Sequence, residues 1–181
     1  MAVDIRRDVT CCFTGHRPDK LPWGFDESDP RCAALKTSIA RELTRLYLRG
    51  YRHFISGMAQ GCDLYFAEAA LALREQYPGV TVEGAVPCPT QADRWPGEDR
   101  RRWRAILDAC DLETVVQQEY GRFCMLRRDR YLVDRSAAIL AVFDGTTGGT
   151  HYTLTYAVGK EKAIWLLDPA RPEAEAVRLE L

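Results

Sequence analysis

"VTCCFTGHRPDK" occupies residues 9–20, and its two halves need different surroundings. Val9, Cys11, Cys12 and Phe13 make an apolar run suited to a buried strand. Thr14, Gly15, His16 and Arg17 follow at once, and a buried strand has no use for them. Pro18 then stiffens the turn. A strand that stops at a glycine and two potential cations suggests a ligand beyond its end.

The rest of the chain repeats the first half of that pattern. Cys32–Tyr47 carries Leu35, Ile39, Leu43 and Leu46 at spacings of one helix face, and Gly50 closes it. "HFIS" (53–56) reads as a second strand, Asp63–Glu75 as a helix and Val80–Val86 as a third strand. Residues 91–110 hold a helix with Trp103, Ile106, Leu107 and Cys110 on one face. "LETVV" (112–116), a helix over Arg122–Arg135, "AAILAVF" (137–143), a helix near Thr150–Val158 and "AIWLL" (163–167) complete the series. Strands alternating with helices throughout predict an α/β fold: a Rossmann-like, mostly parallel sheet of about six or seven strands with helices on both faces. The expected organisation is a single domain with a core over about residues 9–168, and the tail after Pro169 reads as loosely tied.

Bulk properties narrow the setting. The 181 residues can bury a real core, and 46% hydrophobic with 28% charged residues is an ordinary globular composition. A net charge of -1 argues against a surface built mainly for nucleic acid or acidic membranes. Seven cysteines with no C-x-x-C pair fit neither a disulfide framework nor a metal site. The start "MAVDIRRD" has charges where a signal peptide needs an apolar stretch, and no apolar run approaches the roughly 20 residues of a membrane helix. A reduced, cytoplasmic protein is expected.

In an open parallel sheet, ligands bind beyond the carboxyl ends of the strands. Three strand-following segments there carry glycine. "SGMAQGCD" (56–63) sets Gly57 and Gly61 about a tight strand-to-helix turn, with Asp63 in the first helical turn. Its amides, Met58 and Ala59 included, could hold a phosphate or ribose, with Ser56 adding a hydroxyl. Asp63 as a plain helix cap is the competing reading. "DGTTGGTHYT" (144–153) follows the fifth strand. Asp144, Gly145, Gly148, Gly149 and Thr150 there exceed what a turn needs, and the stretch is neither a Walker loop nor G-x-G-x-x-G. It reads as a phosphate or sugar cradle. Arg17 could meet a phosphate through its planar fork.

Other residues have plainer readings. "PCPTQADRW" (87–95) offers Pro87, Gln91 and Trp95 just after the third strand, where Trp95 could stack on a base or simply pack. Arg100, Arg101, Arg102 and Arg104 read as a solvated helix face. Arg127, Arg128 and Arg130 precede the fifth strand and are expected on the side away from the strand ends unless the helix reaches over.

Together "TGHRP", "SGMAQGCD" and "DGTTGGTHYTLTYA" resemble the SLOG superfamily, named for the Smf/DprA and LOG proteins, and within it the YpsA-like family. The likeness runs from about Thr10 to Leu167. It implies a Rossmann-like sheet and a nucleotide or nucleotide-derived ligand, such as an ADP-ribose-like molecule, at the strand ends. LOG enzymes cleave the bond between base and ribose phosphate with the glutamate of P-G-G-x-G-T-x-x-E. Gly149 and Thr150 match its G-T here, but Thr153 stands at the glutamate and cannot act as a carboxylate base.

The leading expectation is therefore a binding or sensing protein for a nucleotide-type small molecule, with no certain cofactor, no metal site and no membrane partner. An N-glycosidase (LOG-like phosphoribohydrolase) is the alternative, with Asp63, Glu68 and Asp144 as its carboxylate candidates. DprA-like binding of single-stranded DNA is a third reading, weakened by the near-neutral charge. A homo-oligomer is compatible with all three.

Overall fold

A computed structural model describes residues 5–180. Strand and helix alternate as the apolar pattern predicts. The elements are β1 (Thr10–Gly15), α1 (Pro30–Leu48), β2 (His53–Ser56), α2 (Cys62–Gln76), β3 (Thr81–Val86) and α3 (Gly97–Ala109). Then come β4 (Leu112–Val115), α4 (Cys124–Asp134), β5 (Ala138–Val142), α5 (Gly149–Gly159), β6 (Ala163–Leu167) and β7 (Val177–Arg178).

The seven strands form one sheet in the order β4-β3-β2-β1-β5-β6-β7, parallel except for the last pair. Alternate side chains serve opposite faces. Cys11, Phe13, Leu140 and Val142 join α1 and α2 in one core cluster. Cys12, Ile139 and Ala141 join Leu132, Val133, Leu154 and Ala157 of α4 and α5 in another. The α1 stripe is completed as its spacing requires, with Leu35, Ile39 and Leu43 wholly buried. Asp29 caps that helix by accepting from the Arg31 amide at 2.8 Å, and Gly50 leaves it at φ +102°.

Two features depart from the sequence reading. α3 begins only at Gly97, because Pro96 stands directly before it and residues 88–95 are turns. The tail after Pro169 is not loosely tied. Ser38 Oγ donates to the Pro172 carbonyl at 2.5 Å and Arg41 Nη2 to that of Ala174 at 2.8 Å. β7 then pairs antiparallel with β6 and covers a strand edge that would otherwise be bare. No described helix is long and apolar enough to cross a membrane.

The strand order fixes where a ligand can enter. From β1 the chain steps outward through β2, β3 and β4, then returns to lay β5 on the other side of β1. Successive connections therefore leave β1 and β5 in opposite directions, and a crevice opens at their carboxyl ends.

Candidate functional site

At that switch point lies a cleft of about 210 Å³. Thr14, Gly15, His16 and Arg17 from the end of β1 and the turn after it, Ala59 and Asp63 from the second loop and the start of α2, and Gly148, Gly149 and Thr150 at the start of α5 all line it. Three motifs far apart in sequence thus meet in one place.

The β1 loop is clasped to the β5 loop. His16 is 3% exposed, and its Nε2 lies 2.7 Å from Asp144 Oδ1. Asp144 does not itself line the cleft but organises its own turn. Partial desolvation works against its charge, yet hydrogen bonds from the Thr146 hydroxyl and amide, with His16 beside it, bring the carboxyl down to about 2. Lys20 makes a second clasp, donating to the Thr147 carbonyl at 2.5 Å and the Thr146 hydroxyl at 3.2 Å. A side chain on Gly148 would stand 2.8 Å from that ammonium, and its φ of +147° already requires glycine. Arg17 is exposed, and its guanidinium has no hydrogen-bond or ion-pair partner among the described residues.

The second loop mostly supports. Ser56 Oγ donates to the Asp63 carbonyl at 2.8 Å and accepts from the Met58 amide at 3.2 Å, so its hydroxyl holds the turn and faces no cleft. Met58 packs into the core with Leu64, Val86 and Trp103. A Cβ on Gly61 would meet the His16 carbonyl at 2.9 Å, which shows that this glycine lets two loops touch. The Asp63 carboxylate does enter the cleft. It accepts from the Ala59 amide at 3.1 Å, and burial pushes it up to about 6 against the pull of the Arg128 guanidinium.

Several expected positions lie elsewhere. Gln91 bridges the Gly57 carbonyl at 3.1 Å and the Trp103 indole at 3.1 Å, and Trp95 packs edge-on against Trp103. Pro87 gives its carbonyl to the Gln117 amide. Gln91 and Trp95 brace the second loop and α3 and Pro87 the segment after β4, and none of the three lines the cleft. Gly145, at φ +88°, shapes its turn without lining the cleft. Glu68 is removed from the site altogether. Both its oxygens take Arg102, at 2.8 and 2.9 Å, and Arg102 also grips Glu27, so that arginine belongs to an ion-pair cluster and not to a solvated face.

Sequence reasoning missed the wall made by α4. A crossover helix starts at the carboxyl end of the strand before it, so its first turns sit at the ligand edge and not on the far side. Met125, Leu126, Arg128 and Asp129 all line the cleft. Arg128 is 5% exposed, donates to the Gly57 carbonyl through Nη1, and pairs with Asp129 through Nε at 2.7 Å. A Cβ on Gly57 would lie 2.7 Å from that guanidinium, so Gly57 makes room for an arginine, not for a ligand. The i, i+4 spacing of Cys124, Arg128 and Leu132 was the available signal, since it puts Arg128 on the buried stripe.

Thr153 is buried, and its hydroxyl donates to the Gly149 carbonyl at 2.9 Å. A profile of the YspA SLOG family matches residues 11–169. The chain belongs to that family. Among family relatives, a UPF0398 protein of Brevibacillus brevis is 27% identical over 139 residues, covering 76% of this chain and 74% of its own. One from Oceanobacillus iheyensis is 25% identical over 161 residues, 86% of each chain.

Two solved structures share the fold. DNA processing protein A of Helicobacter pylori, described by its single-stranded DNA binding mode, superposes with a TM-score of 0.58 at 17% identity. The Streptococcus pneumoniae DprA gives 0.57 at 14%. Both cover 88% of this SLOG chain, which spans 65% and 50% of their longer chains. The expectation against nucleic acid draws no support from these neighbours.

Proposed function

We propose that this SLOG protein binds a nucleotide or nucleotide-derived anion in the β1–β5 cleft, as a binding or sensing module. The observation that carries this reading is the meeting of two cations, Arg17 and Lys20, with the glycine start of α5 at the topological switch point. Amides at the start of that 11-residue helix carry partial positive charge, and Gly148 and Gly149 leave the backbone bare to an approaching phosphate. Calorimetry with nucleosides and their phosphates tests it. The phosphates should bind more tightly by about 1 kcal/mol or more, as charge-assisted hydrogen bonds imply. Equal affinities would refute the cradle.

An N-glycosidase is the second reading. It is favoured by Asp63, a buried carboxyl whose ordinary value is raised to about 6, near what a general acid or base needs. Against it, Thr153 holds a backbone carbonyl where LOG enzymes place their glutamate. Release of free base from a nucleotide panel, followed by chromatography, would establish it. Single-stranded DNA binding, suggested by the DprA neighbour, requires affinity that falls steeply with salt.

A further inference from the structure

The cleft holds acceptors that a phosphate cannot satisfy. Asp63 is 5% exposed; its Oδ2 takes the Ala59 amide, and Oδ1 has no hydrogen-bond partner among the described residues. Asp129 is 7% exposed; its Oδ1 takes Arg128, and Oδ2 is likewise without a partner. Neither free oxygen is sealed in the core, where Trp23 Nε1 and Ser136 Oγ are the unpartnered buried atoms among the described residues. Asp63 and Asp129 both line the cleft.

Arg128 does not change this balance in favour of an anion. Its guanidinium is already divided between the Gly57 carbonyl and Asp129, and it offsets the two carboxylates. Arg17 and Lys20 are the cations left for a phosphate. A bare anion would therefore meet attraction from those two and repulsion from Asp63 and Asp129. A ligand carrying both an anionic group and neighbouring hydroxyl donors suits the two cations and the two free carboxylate oxygens together, since hydroxyls donate to carboxylate oxygens.

We infer that the cleft recognises a ribose with its vicinal 2′ and 3′ hydroxyls intact, received by Asp63 and Asp129, so that its ligand is a ribonucleotide and not a deoxyribonucleotide. The inference rests on the nucleotide reading above and names the sugar that reading leaves open. A site built to bond a hydroxyl rejects the analogue lacking it, because a buried acceptor is then left unmet.

The test is calorimetry at pH 7.5 with the 5′-mono- and diphosphates of adenosine, guanosine, cytidine and uridine, and with their 2′-deoxy counterparts. At least one ribonucleotide should bind about tenfold or more tighter than its deoxy form. Asp63→Asn and Asp129→Asn are the companion variants, with folding checked by thermal melts. In Asp63→Asn the amide oxygen can keep the Ala59 bond while the NH₂ offers the cleft a donor in place of an acceptor. The ribose preference should shrink to about twofold or less in at least one of the two. Equal binding of ribo and deoxy forms by the wild type overturns the inference and leaves the anion cradle standing. A preference that survives in both variants also overturns it, because the hydroxyl is then read elsewhere. If no member of the panel binds, both this inference and the nucleotide reading fall.

Discussion

Replacing Arg128 by methionine tests the electrostatics of the cleft wall most directly. Methionine keeps an unbranched apolar stem of similar reach, so little packing is lost. What disappears is the guanidinium paired with Asp129 and one donor to the Gly57 carbonyl. Gln91 still donates to that carbonyl at 3.1 Å, so the backbone is not orphaned. Asp129 is, and Asp63 loses the charge that offsets its burial. Removing one partner of a buried ion pair costs ~3–5 kcal/mol, and the site is buried enough for that range to apply. Asp129→Asn added to Arg128→Met should recover about 1–3 kcal/mol by removing the orphaned charge. Urea unfolding at pH 7.5, followed by tryptophan fluorescence, measures both. A single variant within about 1 kcal/mol of wild type, or a double variant no better than the single, would refute the account of α4 as a charge-bearing wall.

Arg17→Ala removes an exposed, unpaired cation, so stability should move by less than roughly 0.5 kcal/mol while nucleotide affinity falls by about 1.5–3 kcal/mol in calorimetry. Asp63 carries a raised carboxyl value, so the folded state binds a proton that the unfolded state has released; its contribution to stability is present below the unfolded value near 4 and is lost as pH rises through about 6. The same protonation removes a negative charge from the cleft, so inorganic sulfate, whose own charge is constant over this range, should bind more tightly at pH 5.5 than at 7.5, and Asp63→Asn should flatten that trend. All seven cysteines are free and six are buried, so thiol labelling should count seven after denaturation and at most Cys110 before it. Burial pushes even the Cys110 thiol up to about 11, which makes that reaction slow.

Much of this was legible in the residues because the signals are local. Apolar runs of strand length, the four-residue spacing from Leu35 to Leu43, and glycines directly after strands act within a few residues of chain. They fix which segments become strands or helices, and they mark the strand ends as places where backbone lies bare. The roles inside the loops were less legible. Ser56, Gly57 and Gln91 carry the chemistry of ligand contact but use it inside the protein, Ser56 on Asp63 and Met58, and Gly57 on Gln91 and Arg128, since a hydroxyl or carbonyl bonds whatever lies nearest in space. Composition cannot tell a donor aimed at a ligand from one aimed at a neighbouring loop.

Periodicity and turn chemistry along the chain are enough to specify the α/β alternation, the parallel sheet and three motif loops at the strand ends. Only the tertiary structure decided that β5 lies beside β1. That pairing joins loops separated by more than a hundred residues, clasps His16 to Asp144, and swings the first turns of α4 over the cleft with Arg128 and Asp129. Strand order is set by which buried faces and crossovers fit together across the whole sheet, and no local stretch of residues carries that information.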